Sequence, residues 1–291
     1  MILSLIAVLS SVRAGGIIRH EVYEQEGFRP FFQLAEQPQF RCVGTFIKPN
    51  GVWIGGRYVL TVAHGFVSPN GELSDPSTLR FNLLVEGRYF TYRGRALHVP
   101  KSYIQSQVSK QGTGNLTHDI AVVELANEPS VPGMQPAVVN SAEGEVGLDA
   151  IFVGYGDRGT SREGTNLALF GSGQSFPQDQ YGDRHPRPMG FQNSIDSTFG
   201  SGFCLASSFT GTKKHRLLGI TASGDSGSGV FAQIDNEWKL IGIAHNGIPR
   251  AGSGQPTWAK GNTEGSSTLC VRVSKFWKAI MLGKKGDWTE F

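Results

Sequence analysis

Ser226 sits in Ala222-Ser223-Gly224-Asp225-Ser226-Gly227-Ser228-Gly229, a stretch that sets a hydroxyl among residues leaving the backbone free to turn. Glycine adopts conformations that a side chain resists, so N–H groups in such a loop can converge on a developing negative oxygen. A nucleophile beside preorganised donors is what acyl transfer needs. Gly, Asp and Ser are equally the residues of a surface turn, so the string decides nothing until a base and an orienting acid are found. Two further stretches offer them. Tyr58-Val59-Leu60-Thr61-Val62-Ala63-His64-Gly65 ends an apolar run on a histidine, and Thr117-His118-Asp119-Ile120-Ala121-Val122-Val123 begins another on an aspartate. Imidazole is the usual general base near neutral pH, and a carboxylate beside it fixes its tautomer and stabilises its charged form. A lone histidine is more often structural, and an aspartate there can simply cap a strand. The order His64, Asp119, Ser226 is what joins them into one chemical reading.

The elements that must carry these residues read as short strands. Segments 39–48, 52–62, 79–92 and 94–99 are rich in β-branched and aromatic residues and are broken by Pro-Asn-Gly, Gly-Gly and Glu-Gly. Residues 119–125 form another strand, and Pro129 to Pro136 reads as a linker. A second set follows near 149–155, 166–171, 202–209, 216–221, 229–233 and 238–244. The expected class is all-β in two halves. Ser274 followed by Lys275-Phe276-Trp277-Lys278-Ala279-Ile280-Met281-Leu282 and Gly283 predicts a capped terminal helix, its apolar positions 276, 277, 280 and 281 on one face. The stretch 171–201 reads as a long surface loop.

Composition narrows the classes. A chain of 291 residues with 39 Gly and 18% charged residues suits a globular, turn-rich protein with a substantial core. A net charge of +3 without any block of like charges gives no electrostatic footprint for nucleic acid. Cys42, Cys204 and Cys270 allow at most one internal disulfide, and no CxxC or Cys/His cluster suggests zinc or another metal. No cofactor motif is present. Residues 2–12 are apolar but too short to span a bilayer, and Val12-Arg13-Ala14 has the form of a signal-peptidase site, so residues 1–14 read as a secretory signal; a buried first strand is the alternative. Gly15-Gly16-Ile17-Ile18 is then either a strand start or a processed amino terminus.

The wording around the three residues, TVAH, HDIAVVEL and GDSGSG, resembles that of the chymotrypsin-like (trypsin-like) serine peptidases, whose motifs run TAAH, DIAL and GDSGG in this order. Cys42-Val43-Gly44-Thr45-Phe46-Ile47 is similar to the family's CGGSLI strand, Val153-Gly154-Tyr155-Gly156 to its GWG strand, and Val271-Arg272-Val273-Ser274 to the RVS before its terminal helix. An α/β-hydrolase would need Gly-x-Ser-x-Gly with the serine first, and a subtilisin-like enzyme would place the acid before the histidine, so neither fits. The resemblance implies two packed six-stranded antiparallel Greek-key β-barrels with a C-terminal α-helix. It divides the chain into signal and pro-segment 1–16, barrels 17–135 and 136–273, and helix and tail 274–291. It implies a secreted endopeptidase acting on protein or peptide substrates, neither nucleic-acid-binding nor membrane-bound when mature. Ser226 would be nucleophile, His64 base, Asp119 orienting acid, and Gly224 and Ser226 the oxyanion donors. Asp225 would pair with the new amine of Ile17 after trimming.

Departures from the family pattern matter. The usual partner of Cys42 is replaced by Gly65, and Cys204 and Cys270 either pair or stay reduced. The absence of the usual disulfides resembles bacterial or otherwise divergent members. The substrate pocket by resemblance draws on Ile220, Thr221, His245 and Gly247. Ile220 stands where trypsin has its aspartate, which disfavours Arg and Lys at P1 unless Glu264 supplies an acid. Small or apolar P1 residues are favoured; Thr221 and His245 leave an acidic P1 open. A peptidase-fold binding protein without turnover, and a structural secreted β-protein, are the rival functions. Asn115-Leu116-Thr117 is a glycosylation sequon close to Asp119.

Overall fold

The computed structural model describes residues 16–46, 49–109, 116–156, 158–161, 164–165, 187–210, 212–248, 265–289 and 291. The expected leader 1–14, the strand at 166–171, the first part of the long loop, Asn115 and Glu264 lie outside the described residues. The protein is all-β with short helices. It begins with β1 (Gly16–Ile18), α1 (His20–Glu26) and α2 (Arg29–Ala35). A closed barrel follows, made of β2 (Val43–Thr45), β3 (Asn50–Trp53), β4 (Tyr58–Thr61), β5 (Arg80–Val85), β6 (Arg88–His98) and β7 (Ala121–Leu125), in the order β2-β3-β4-β7-β6-β5. Helix α3 (Lys101–Ser109) bridges β6 and β7.

The turn chemistry read from the sequence explains the hairpins. What reads as one strand over 52–62 is β3 and β4 joined at Gly55 and Gly56, both at positive φ, where a side chain would be strained. Glu86 and Gly87 are likewise both at positive φ between β5 and β6, as a two-residue hairpin requires. Pairing of β4 with β7 sets Thr61 opposite Ala121. The chain leaves β4 where it enters β7, so His64 and Asp119 emerge at the same barrel edge.

The second half contains β8 (Val138–Val139), β9 (Asp149–Gly154), β10 (Arg158–Thr160), β11 (Gly164–Thr165), β12 (Met189–Ser194), β13 (Ser197–Phe199), β14 (Cys204–Ser208), β15 (Gly219–Ile220), β16 (Gly229–Ile234), β17 (Glu237–Ile248) and β18 (Ser267–Arg272). Its main sheet runs β12-β9-β16-β17-β18-β14-β13, with β8 added beside β17. Among the described residues its strand pairing forms a half-barrel sheet that does not close. It curls until Ser207 Oγ of β14 donates to Ser194 O at the end of β12, 2.8 Å away. A separate sheet, β11-β10-β1-β15, carries the amino-terminal strand onto this half. Helix α2 also packs here: a Cβ added at Gly190 of β12 would touch Ala35 N at 3.0 Å. Residues 16–35 therefore belong structurally with the carboxyl-terminal half.

One continuous core joins both halves, from Val52, Leu60 and Phe81 in the barrel to Phe152, Phe231 and Val271 in the sheet. Burying each such side chain contributes about 1.5–3 kcal/mol. The terminal helix α4 (Trp277–Gly283) is preceded by a short 3₁₀ turn, so the helix starts two residues later than the cap reading places it. Ser274 does not cap it; its Oγ donates to buried Glu145 at 2.8 Å. All three cysteines are free and buried, so Cys204 and Cys270 do not pair. Among the described residues no helix is long and apolar enough to cross a membrane.

Candidate functional site

The three residues singled out by spacing come together where the barrel meets the main sheet. His64 Nδ1 lies 2.6 Å from Asp119 Oδ2, and His64 Nε2 lies 2.9 Å from Ser226 Oγ. A carboxylate only accepts, so Nδ1 carries the proton and Nε2 is left as acceptor for the serine hydroxyl. The backbone N–H of His64 donates to Asp119 Oδ1 at 2.8 Å, which locks the carboxylate with both oxygens engaged. Asp119 is 3% exposed, while the His64 side chain is 37% exposed and open to an approaching reactant.

Electrostatics follow from that burial. Desolvation alone would push the His64 imidazole down, but the charge and hydrogen bond of Asp119 more than offset it and hold it above its ordinary value. Burial likewise pushes the Asp119 carboxyl up, and this is overcome by the His64 charge, by the hydrogen bond from His64 and by the nearby His245 ring, leaving it well below the usual carboxylate range. The pair can store a proton on the imidazole without neutralising the acid.

The loop carrying Ser226 is held on several sides. Gly224 and Gly227 both sit at φ 85°, in the left-handed region. Asp225 is 2% exposed, and its carboxylate accepts from the N–H groups of Gly156 and Ala222, each at 2.8 Å. Gly227 N–H donates to Ala244 O at 2.7 Å and Ser228 N–H to Asp225 O at 2.9 Å. Within this loop the N–H groups of Ser223, Gly224 and Ser226 have no acceptor among the described residues. Two of those three are the expected oxyanion donors. Gly154 and Gly156 are required for the approach of the loop, since a Cβ at Gly154 would lie 1.8 Å from Ser228 Oγ and one at Gly156 would lie 2.5 Å from Asp225 N.

Asn50 is the functional residue that the sequence reading passes over. Its N–H donates to Ser226 O at 2.7 Å, and its Nδ2 reaches Gly224 O and Ser228 Oγ, both at 3.0 Å. Its own carbonyl accepts from Thr61 Oγ1 at 2.5 Å, and the side chain belongs to a residue only 1% exposed. One barrel residue thus ties down the loop of the other half. The only signal was Pro49-Asn50-Gly51, which reads as a turn; instead Asn50 opens β3. The stretch 42–47, matched to the family's strand, contributes β2 and is not the strand that touches the loop.

Of the residues assigned to a substrate pocket, Thr221 and Gly247 both meet Thr268, whereas Ile220 and His245 are buried in the interior. Thr221 Oγ1 lies 2.7 Å from Thr268 Oγ1, and Gly247 pairs with Thr268 across β17 and β18. Ile220 lies in the core with Ile17, Phe209 and Leu218. The His245 side chain is fully buried, with Nδ1 3.5 Å from Asp119 Oδ2. Ile17 lies within β1, opposite Ile220, and its nitrogen belongs to a peptide bond in the continuous chain, so the ion pair with Asp225 is not formed in this state. Among the described residues no cluster of His, Cys, Asp and Glu could hold a metal ion. No model of a protein family matches the chain, and no curated protein sequence matches it.

Proposed function

We propose that this chain is a secreted serine endopeptidase of the chymotrypsin-like family. The observation that supports it above all is the unbroken hydrogen-bonded line Asp119–His64–Ser226 beside free N–H groups in the same loop. Ser226 Oγ attacks the carbonyl carbon of a peptide bond as its proton passes to His64 Nε2. Asp119 stabilises the resulting imidazolium and keeps Nε2 aimed at the serine. The N–H groups of Gly224 and Ser226 receive the negative oxygen of the tetrahedral intermediate; loss of one such donor typically costs about 10²–10³ in turnover. His64 then returns the proton to the leaving amine, and water hydrolyses the acyl-serine with His64 again as base.

Small or apolar P1 residues remain the favoured substrates, with the Thr221 and Thr268 hydroxyls, 2.7 Å apart, beside the pocket that the resemblance implies. An acidic P1 loses support because His245 is enclosed against Asp119 instead. The function further carries residues 1–16 as leader and pro-segment, with Ile17 and Asp225 pairing after trimming. Incubation with a fluorophosphonate probe tests the assignment: the folded protein should be labelled at Ser226 and hydrolyse a peptide ester, and Ser226→Ala and His64→Ala should abolish both. A folded wild-type protein that takes no label would refute peptidase function and leave a binding role.

A further inference from the structure

The segment after α4 leaves the second half of the molecule and folds back over the first barrel, a docking for which the proposed mechanism has no use. Lys284 Nζ donates to Ile54 O at 2.8 Å, and the Tyr58 hydroxyl donates to Lys284 O at 3.4 Å. Lys101 N–H, at the start of α3, donates to Phe291 O at 2.9 Å, and the Phe291 side chain joins the core. Trp288 is the centre of this contact. Its indole lies flat on the imidazole of His98, with ring centroids 3.9 Å apart and planes 10° apart, and stands nearly at right angles to the Phe291 ring at 5.5 Å. Gly283 leaves room for it, since a side chain there would meet the indole.

His98 ends β6, and the stack seals one face of its ring. Its Nε2 is buried and has no hydrogen-bond partner among the described residues. The acid that faces it, Glu124 on β7, has Oε2 4.0 Å away, beyond hydrogen-bond reach. The other carboxylate oxygen is already shared by Arg57 at 2.9 Å and Arg95 at 3.5 Å. The charged groups on the other side of the contact are Lys101, Lys284 and Asp287. Lys284 stands 5.9 Å from the centre of the Tyr58 ring, in the field of Glu128, and the Asp287 carboxylate accepts from Thr289 N–H and Oγ1–H. A neutral imidazole fits these surroundings. A protonated one would be sealed under the indole with no acceptor for Nε2–H. Attraction of a cation to the indole face does not replace that lost hydration. Burial accordingly pushes the His98 imidazole down, and the Glu124 charge offsets only part of the effect.

We propose that the segment after α4 is a strap, latched by neutral His98 beneath Trp288, which acid releases from the first barrel. With the strap open, His98 is in water and titrates at the ordinary histidine value; with it closed, the ring titrates lower. Closure is therefore at full strength above the ordinary value. It weakens as the pH falls from there to the lowered value, by up to about tenfold in the closing constant per pH unit, and levels off below both. Release frees Lys101 N–H and Phe291 N–H and exposes the Phe291 ring. None of this depends on the chemistry of Ser226.

The test is amide hydrogen exchange of the full chain from about pH 8 to about pH 5, with protection corrected for the intrinsic exchange rate, beside an NMR titration of the His98 ring. In wild type, protection of Lys101 N–H and Phe291 N–H should fall with pH inside the window, by up to about tenfold per unit, while Leu60 N–H, inside the barrel pairing of β4 and β7, stays protected. His98→Phe keeps a ring for Trp288 to stack on and takes up no proton, so its protection should be flat over the same range. Trp288→Ala should lower the protection of both amides already at about pH 8 and let His98 titrate nearer the ordinary value, because the latch and the burial of the ring are one contact. That variant removes a side chain outside the barrel and decides the question if His98→Phe does not fold. Protection in wild type that does not change with pH would overturn the strap as an acid-released device. So would the same pH dependence in folded His98→Phe, or a His98 midpoint in Trp288→Ala no higher than in wild type.

Discussion

Asn50→Ala removes the side chain that ties the barrel to the nucleophile loop while leaving the strand and its backbone bond intact. Two hydrogen bonds are lost, from Nδ2 to Gly224 O and to Ser228 Oγ, both 3.0 Å in the native protein. Each neutral bond of this kind is worth about 0.5–1.5 kcal/mol net, and a buried carbonyl left unsatisfied costs about 1–3 kcal/mol. The two together place the loss at roughly 2–3 kcal/mol. Because Gly224 and Ser226 are also the proposed oxyanion donors, part of that loss should fall on the transition state, where 1.36 kcal/mol is a factor of about ten. The expected result is a fall of about 10- to 100-fold in kcat with KM for a small ester changed little, together with a lower unfolding midpoint. Thr61→Val serves as the comparison, since it removes only the bond to Asn50 O and should cost activity less. Stopped-flow acylation by an active ester, read beside calorimetric unfolding, separates the two components. Activity and midpoint both equal to wild type in Asn50→Ala would show that the loop holds itself, and the clamp reasoning would fall.

Gly154→Ala should be worse than Asn50→Ala, because the new methyl would stand 1.8 Å from Ser228 Oγ and force the loop outward; a labelling rate within two-fold of wild type would contradict this. Asp119→Asn should cost about 10⁴ in kcat and shift the acid limb of the residual kcat/KM to lower pH, since only burial, which pushes the His64 imidazole down, would remain. In the wild type the raised imidazole is protonated below its folded pKa, so activity should rise through a limb lying above the ordinary histidine value. Thr268→Gly opens the space beside Thr221 and should raise kcat/KM for larger P1 residues about 10-fold relative to alanine, read from a peptide library. Glu145→Ala removes the buried acceptor of Arg272 and the partner of Ser274 while Arg272 keeps Glu143 and Gly202 O, so unfolding free energy should drop by about 1–3 kcal/mol by denaturant titration, with no change in P1 preference.

How much of this was legible follows from what each residue has to do. His64, Asp119 and Ser226 are the residues proposed to perform the chemistry, so their types and order carried the site. The hairpin turns at Gly55-Gly56 and Glu86-Gly87 also carried local signals, because positive φ selects residue type. Asn50 acts only through partners distant in sequence, 178 residues separating it from Ser228, and His245 comes to lie 3.5 Å from Asp119 across 126 residues of chain. No local pattern could announce such partners; Pro-Asn-Gly has the composition of a turn, and a histidine in an apolar strand has that of a pocket. The helices α1 and α2 were missed for another reason. Each is seven residues long, too short for a 3.6-residue pattern to stand out, and their stability comes from packing on β12 and its neighbours. Ser274 looked like a cap because serine favours caps, yet a buried glutamate offered it a stronger partner.

The same logic bears on Asp225, whose type the sequence supplied and whose state the fold supplies. In the continuous chain its carboxylate is already satisfied by two backbone N–H groups, and Ile17 is fully buried in a strand between β10 and β15. Cleavage before Ile17 would break the pairing of Gly16 with Arg158 and create an ammonium group inside a site with no exposure. A buried cation there needs a carboxylate. Asp225 is buried and close in the loop sequence to Ile220, the residue opposite Ile17, so trimming would make it exchange a backbone bond for a charge-assisted one. Such an exchange acts on the loop that also bears Gly224 and Ser226. The amino terminus and the oxyanion donors are then coupled through one carboxylate, and the nucleophile loop can stand assembled before any cut while still responding to it.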